Sequence, residues 1–275
     1  MDPNVVLAIL YIVFAGMFGA VIGSFTNVCI YRIPEHRTIV KGHSMCMTCS
    51  HELGALDLVP IFSWLFLGGK CRYCKTPISS RYIKIESLTA LAYMVMAATH
   101  LSMFLDPSDP AKTIFPFIEL CAMFIMINIV IVEMMIMKDT GSSMYVLSLA
   151  LGIDILVQIA AGIPQGKIKD WLISVPASLA IGIVAVLLAV IITNSPKDMS
   201  RYFKDDKQKT YRTSDLFAVV LCAAIGIIPS IVAALVYLIA RIAIGNGKKT
   251  KYLGIALAAG AAAGYFGYAA YTVLV

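Results

Sequence analysis

The chain has 275 residues, of which 60% are hydrophobic and 14% charged, and its formal net charge is +6. A water-soluble domain does not need that much apolar surface, so the composition excludes an ordinary soluble enzyme and points to several membrane spans. The basic excess has no aromatic interleaving to suggest nucleic acid and reads as cytoplasmic loops rich in Lys and Arg.

In chain order, apolar runs occupy about 5–30, 83–104, 113–137, 143–162 and 170–193. Each is long enough to cross a bilayer as a helix. The first lacks a basic n-region and a small-residue cleavage site, and is read as a retained span. A polar segment, 31–82, follows it and holds Arg32, Arg37, Lys41, Lys70, Arg72, Lys75 and Arg81. A second, 194–213, holds Lys197, Arg201, Lys204, Lys207, Lys209 and Arg212, whereas loops 105–112 and 163–169 carry only Lys112, Lys167 and Lys169. The bias places both basic segments in the cytoplasm and the N-terminus outside. One unbroken helix over 215–245 would leave Arg241, Lys248, Lys249 and Lys251 on the wrong side. A break at Gly226 and Pro229 gives two short helices instead, about 215–228 and 230–245, and a last span over 252–274. That span is rich in Gly and Ala, which lets helices approach closely. The predicted fold is an all-α polytopic membrane protein of about eight transmembrane segments. It divides into a first helix, 1–30, a cytoplasmic domain, 31–82, and a membrane bundle, 83–275.

Four of the seven cysteines form two pairs, Cys46-Met-Thr-Cys49 and Cys71-Arg-Tyr-Cys74. Four thiolates at this spacing suit a tetrahedral zinc with no open coordination position, hence a structural site. A short cytoplasmic segment with a meagre core needs such a staple, and its reducing surroundings disfavour disulfides. Free or redox-active thiols are the alternative. Cys29, Cys121 and Cys222 stand singly in apolar runs and read as core or lipid-facing residues.

Ionisable groups in apolar runs are costly and mark functional sites. Glu133 precedes the cytoplasmic end of the third run, Asp139 follows it, and Asp215 opens the sixth helix. The topology brings all three to one membrane face. Two carboxylates in a poorly hydrated pocket would share a proton and activate water, as aspartic proteases do. The plainer readings stand beside this one: Asp215 as a helix cap, Lys138-Asp139 as an interfacial pair, and Asp154 as a structural acid within the fourth helix.

At this point the sequence resembles a known family. Gly23-Ser24-Phe25-Thr26-Asn27-Val28, with Arg32 and Pro34, is similar to the signature that ends the first helix of type IV prepilin peptidases. The block VPIFSWLFLGGKCRYCKTPISSRYIKIESLTALAY, with Pro60, Ser63, Trp64, Gly69, Arg81, Tyr82 and Glu86, matches the same family, and KTKYLGIALAAGAAAGYFG resembles its last helix. The resemblance implies an eight-helix inner-membrane enzyme that cleaves basic leaders from prepilins and pseudopilins at the cytoplasmic face. In many members it also implies methylation of the new N-terminus with S-adenosylmethionine. The family's two catalytic aspartates fall, by the same resemblance, on Glu133 (with Asp139 as the other candidate) and on Asp215. Both motifs are altered. The family's Pro-Asp is missing near Glu133, and Arg212-Thr213-Ser214-Asp215 replaces GxGD, with Phe217 where Lys is usual. Glu for Asp keeps the acid but moves the carboxyl by about an ångström, a displacement that costs on the order of 100-fold in rate. The leading reading is a divergent peptidase of this type. The alternative is a catalytically degenerate paralogue that binds or assembles pilin-like helices, and a transport role is the third.

Overall fold

A computed structural model describes residues 3–101, 110–141, 143–193, 209–244 and 252–274. The basic segment 194–208, the cluster at Lys248, Lys249 and Lys251, and the Arg212 side chain lie outside the described residues. The chain forms two compact units, Met1–Ser108 and Asp109–Val275.

In the first unit, α1 (Pro3–Arg32) and α3 (Arg81–Thr99) form an antiparallel pair. Gly16, Gly19 and Gly23 lie three and four residues apart and so share one face of α1. Their missing side chains let α3 come close. A Cβ on Gly19 would meet the Ala90 Cα at 2.9 Å, and one on Gly23 the Glu86 Cα at 2.8 Å. Asn27 Nδ2 donates to the Tyr82 carbonyl at 3.4 Å and fixes the register. Between the helices runs a segment with little regular structure, interrupted by the short α2 (Phe62–Phe66).

The second unit contains α4 (Pro110–Thr140), α5 (Tyr145–Gly162), α6 (Ile168–Thr193), α7 (Lys209–Ile225), α8 (Ile227–Ile244) and α9 (Leu253–Leu274). The expected break falls at Gly226, whose φ of +82° is a conformation that side-chain-bearing residues resist. It turns α7 and α8 into a helical hairpin, and Pro229 sits in the first turn of α8, where a missing N–H costs little. The glycines of α9 seat it on α8. A Cβ on Gly264 would meet the Pro229 carbonyl at 2.7 Å, and one on Gly260 the Ala233 Cα at 3.0 Å.

Among the described residues, α1, α4, α5, α6 and α8 are long and apolar enough to cross a membrane, while the apolar parts of α7 and α9 are shorter. With α3, which is not among the helices apolar enough to cross although the sequence read 83–104 as a span, the described residues hold eight helices of 17 residues or more. The architecture is that of an all-α, multi-pass membrane protein.

Candidate functional site

The paired cysteines occupy two copies of one turn. Cys46 N–H donates to the His51 carbonyl at 3.0 Å and Ser50 N–H to the Cys46 carbonyl at 2.8 Å. Twenty-five residues on, Cys71 N–H donates to Thr76 at 2.9 Å and Lys75 N–H to Cys71 at 3.0 Å. Isolated bridges close each turn, Met45 with Glu52 and Lys70 with Pro77. Ser50 and Lys75 take the same left-handed conformation, with φ of 56° and 61°. The repeat aims all four thiols at one point. Their sulfurs lie within 4.8 Å of one another, and Cys46 Sγ is 3.7 Å from Cys74 Sγ. A tetrahedral zinc with Zn–S of about 2.3 Å needs sulfurs about 3.8 Å apart. The four thiols therefore could hold a zinc ion with little adjustment.

Asp57 braces the second turn. Its carboxylate accepts from Arg72 Nε, from the Tyr73 hydroxyl at 3.1 Å and from Gly54 N–H at 3.1 Å. The Arg72 hydrogen bond is the main reason its carboxyl is held below the usual aspartate value. The His51 and Tyr73 rings, with centroids 3.6 Å apart, join the two turns.

In the second unit Glu133 and Asp215 are both buried, at 1% and 3% exposure, while Asp139 is exposed at the end of α4. Glu133 accepts from the Ser143 hydroxyl and from Met144 N–H at 3.4 Å, so it closes the tight α4–α5 turn. Asp215 accepts from the Tyr237 hydroxyl, and Arg241 Nε lies 3.8 Å from the same carboxylate oxygen. Arg241 is fully buried. In the sequence Arg241 was a topology marker, with no role beside Asp215. The structure puts Arg241 and Tyr237 there.

The two acids lie at the same end of the bundle. The contacts at Gly264 and Gly260 make α9 antiparallel to α8 and bring its start level with Arg241. A Cβ on Gly254 would meet the Met134 Cα at 3.2 Å, one residue from Glu133. Helices α5 and α9 each pack against both α4 and α7 and so bridge the two acid-bearing helices. Each acid is nevertheless held by its own local partners.

Asp154 has a plainer setting. It accepts from Gln158 Nε2 at 2.7 Å, one turn further along α5. It lines a cavity of about 240 Å³ between α4 and α5 with Phe117, Cys121, Ala122 and Ile153.

Comparison with known proteins places the first unit. The family model for the bacterial peptidase A24 N-terminal domain matches residues 17–100. Residues 17–100 are thus similar to an A24 N-terminal domain. The sequence resemblance to type IV prepilin peptidases holds over this region. Three similar curated proteins each carry the name "Prepilin leader peptidase/N-methyltransferase". That of Myxococcus xanthus is 43% identical over 84 residues, covering 30% of this chain and 25% of the relative. That of Aeromonas hydrophila is 36% identical over 114 residues, covering 33% and 39%. That of Burkholderia pseudomallei is 34% identical over 134 residues, covering 40% and 41%. The matched segments thus span between a quarter and two fifths of these relatives. No solved structure matches. The A24-like domain contains the four cysteines, and the candidate acids lie beyond its matched residues.

Proposed function

We propose that the chain is a divergent intramembrane aspartic endopeptidase of the prepilin type, cleaving leaders of pilin-like precursors at the cytoplasmic face of the inner membrane. The observation that carries the reading is two buried acids, Glu133 and Asp215, on separate helices at one end of a bundle that follows an A24-like domain. In the proposed reaction the Asp215 carboxylate takes a proton from water. The hydroxide attacks the scissile carbonyl, and protonated Glu133 delivers its proton to the leaving amine. The apolar start of the precursor's helix would lie along the bundle, and its basic leader would stay on the side of the Lys- and Arg-rich loops. A zinc on Cys46, Cys49, Cys71 and Cys74 would be structural, because four thiolates leave no position for water. Methylation of the new N-terminus, which the relatives' name includes, would draw its methyl group from S-adenosylmethionine. The described residues offer no glycine-rich loop for that molecule.

A second reading has its own support. Arg241 neutralises Asp215 and Tyr237 occupies it, and Ser143 occupies Glu133. A paralogue that binds pilin-like helices without cutting them would keep such a bundle and let its acids settle into structural pairs. Co-expression with a candidate prepilin separates the two. The peptidase reading expects leader loss with the wild type and none with Asp215→Ala. Leader loss in both strains removes Asp215 from the reaction, and loss in neither favours the binding protein.

A further inference from the structure

Residues 58–69, LVPIFSWLFLGG, form a twelve-residue stretch without charge, flanked by Asp57 and Lys70. It lies in the segment between α1 and α3, the part of the first unit that composition reads as extramembrane. Its apolar side chains are not packed away. Leu58, Val59, Phe62, Leu65 and Phe66 are 40%, 39%, 56%, 54% and 86% exposed.

Its depth is fixed by one hydrogen bond. Ile61 N–H donates to Glu86 Oε2 at 2.7 Å, and Glu86 is buried against Gly23 of α1. Gly23 lies nine residues, or about 13 Å of helix, inside Arg32, the basic end of α1. The apolar run of α1 ends near residue 30. A hydrocarbon core needs about 20 residues of helix, so Gly23 and Glu86 stand within it or at its edge, and Ile61 with them.

Most of the N–H groups of this stretch are bonded within it. Phe62, Ser63, Leu65, Leu67, Gly68 and Gly69 all donate to carbonyls within residues 59–65, at 2.6–3.1 Å. Pro60 has no N–H to satisfy. Such internal closure is a requirement in hydrocarbon and optional in water. It includes a strained γ-turn at Ile61, with φ 63° and ψ −55°, closed by Phe62 N–H on the Pro60 carbonyl.

We propose that residues 58–69 are a re-entrant element inserted into the leaflet on the side of the cysteine turns, with Leu58, Val59, Phe62, Leu65 and Phe66 against acyl chains. The occupant follows from continuity, since Ile61 hangs from Glu86 at the level of Gly23 on α1, a helix long and apolar enough to cross a membrane. It also anchors the metal-binding turns. Trp64 packs on Gly69 and donates from Nε1 to the Ile78 carbonyl at 3.2 Å, which ties the element to the turn holding Cys71 and Cys74.

The chain has two tryptophans, Trp64 and Trp171. The test uses the full chain in proteoliposomes of dibrominated phosphatidylcholine. In W171F, Trp64 reports alone and the element is unaltered. In W64F/W171F, a tryptophan is added by F66W or, as a water-exposed control, by M47W, since Met47 is 89% exposed on the first cysteine turn. The expected result is loss of emission to bromine at 64 and 66, strongest when the bromines are near the headgroups, and loss to aqueous iodide at 47 alone. Iodide quenching at 66 equal to that at 47 overturns the proposal. So does insensitivity to both quenchers, which would mean that protein covers this face.

Discussion

Asp215 and Arg241 meet across the α7–α8 hairpin with almost no exposure to solvent. Removing one partner of such a pair strands the other charge. Arg241→Met is expected to lower stability by about 3–5 kcal/mol, measured as unfolding in lipid nanodiscs, and Asp215→Asn in the same chain to recover most of that loss. The partnership was half legible in the sequence. Asp215 and Tyr237 stand eleven residues either side of Gly226, and Cys222 and Ser230 four. Once a helical hairpin is assumed at Gly226, counting outward would have paired them. Reading Arg241 as a topology marker hid it. Glu133 was found because an acid in an apolar run is conspicuous. Its partner Ser143 was not, because a serine in a turn carries no signal. Asp57 makes a pH prediction. Its folded pKa is depressed, so its contribution is fully present above the unfolded value of about 3.8 and is lost as pH falls through the lower folded value. The thermal-midpoint difference between wild type and Asp57→Asn is expected to be constant from neutral pH to about 5 and to shrink below 3.8. Taking the difference cancels the loss of thiolate ligation common to both proteins.

The elements themselves were the most legible part. Helix positions and the Gly226 break follow from the length of apolar runs and from the φ that glycine alone adopts without cost. The cysteine spacing announced a metal site but not its internal repeat, because the two turns share backbone conformation and little sequence. The γ-turn at Ile61 was invisible for a related reason: a β-branched residue there runs against local preference and is held by Glu86, 25 residues away. Close packing of α1 on α3 leaves Gly23 no room. Gly23→Val is expected to push Glu86 outward, release the bond to Ile61 and lower the thermal midpoint, whereas a valine at Gly152, which has open space around it, is expected to leave the midpoint unchanged. The cysteine turns give a separate prediction. Cys71→Ser is expected to take bound zinc, measured by elemental analysis, from one per chain to none, and to expose residues 41–78 to limited proteolysis.

At the scale of the whole molecule, the two units hold different candidate sites. The A24-like domain presents four thiols on paired turns. The second unit gathers buried acids, with one buried cation, at the end of the bundle where α4 stops and α7 and α9 begin. Composition alone could not assign a reaction to that end, since an acid near the start of a helix reads equally well as a cap. The proposed chemistry depends on Glu133 and Asp215 acting as one catalytic unit. Groups that act together fail together, so their losses do not add. The direct test is leader cleavage of a purified prepilin by the full chain in proteoliposomes, comparing wild type, Glu133→Gln, Asp215→Asn and the double variant. The account predicts cleavage by the wild type, a loss of at least about 100-fold in each single variant, and no further loss in the double. Cleavage that survives either single substitution, or a wild type that leaves the leader intact, would contradict it.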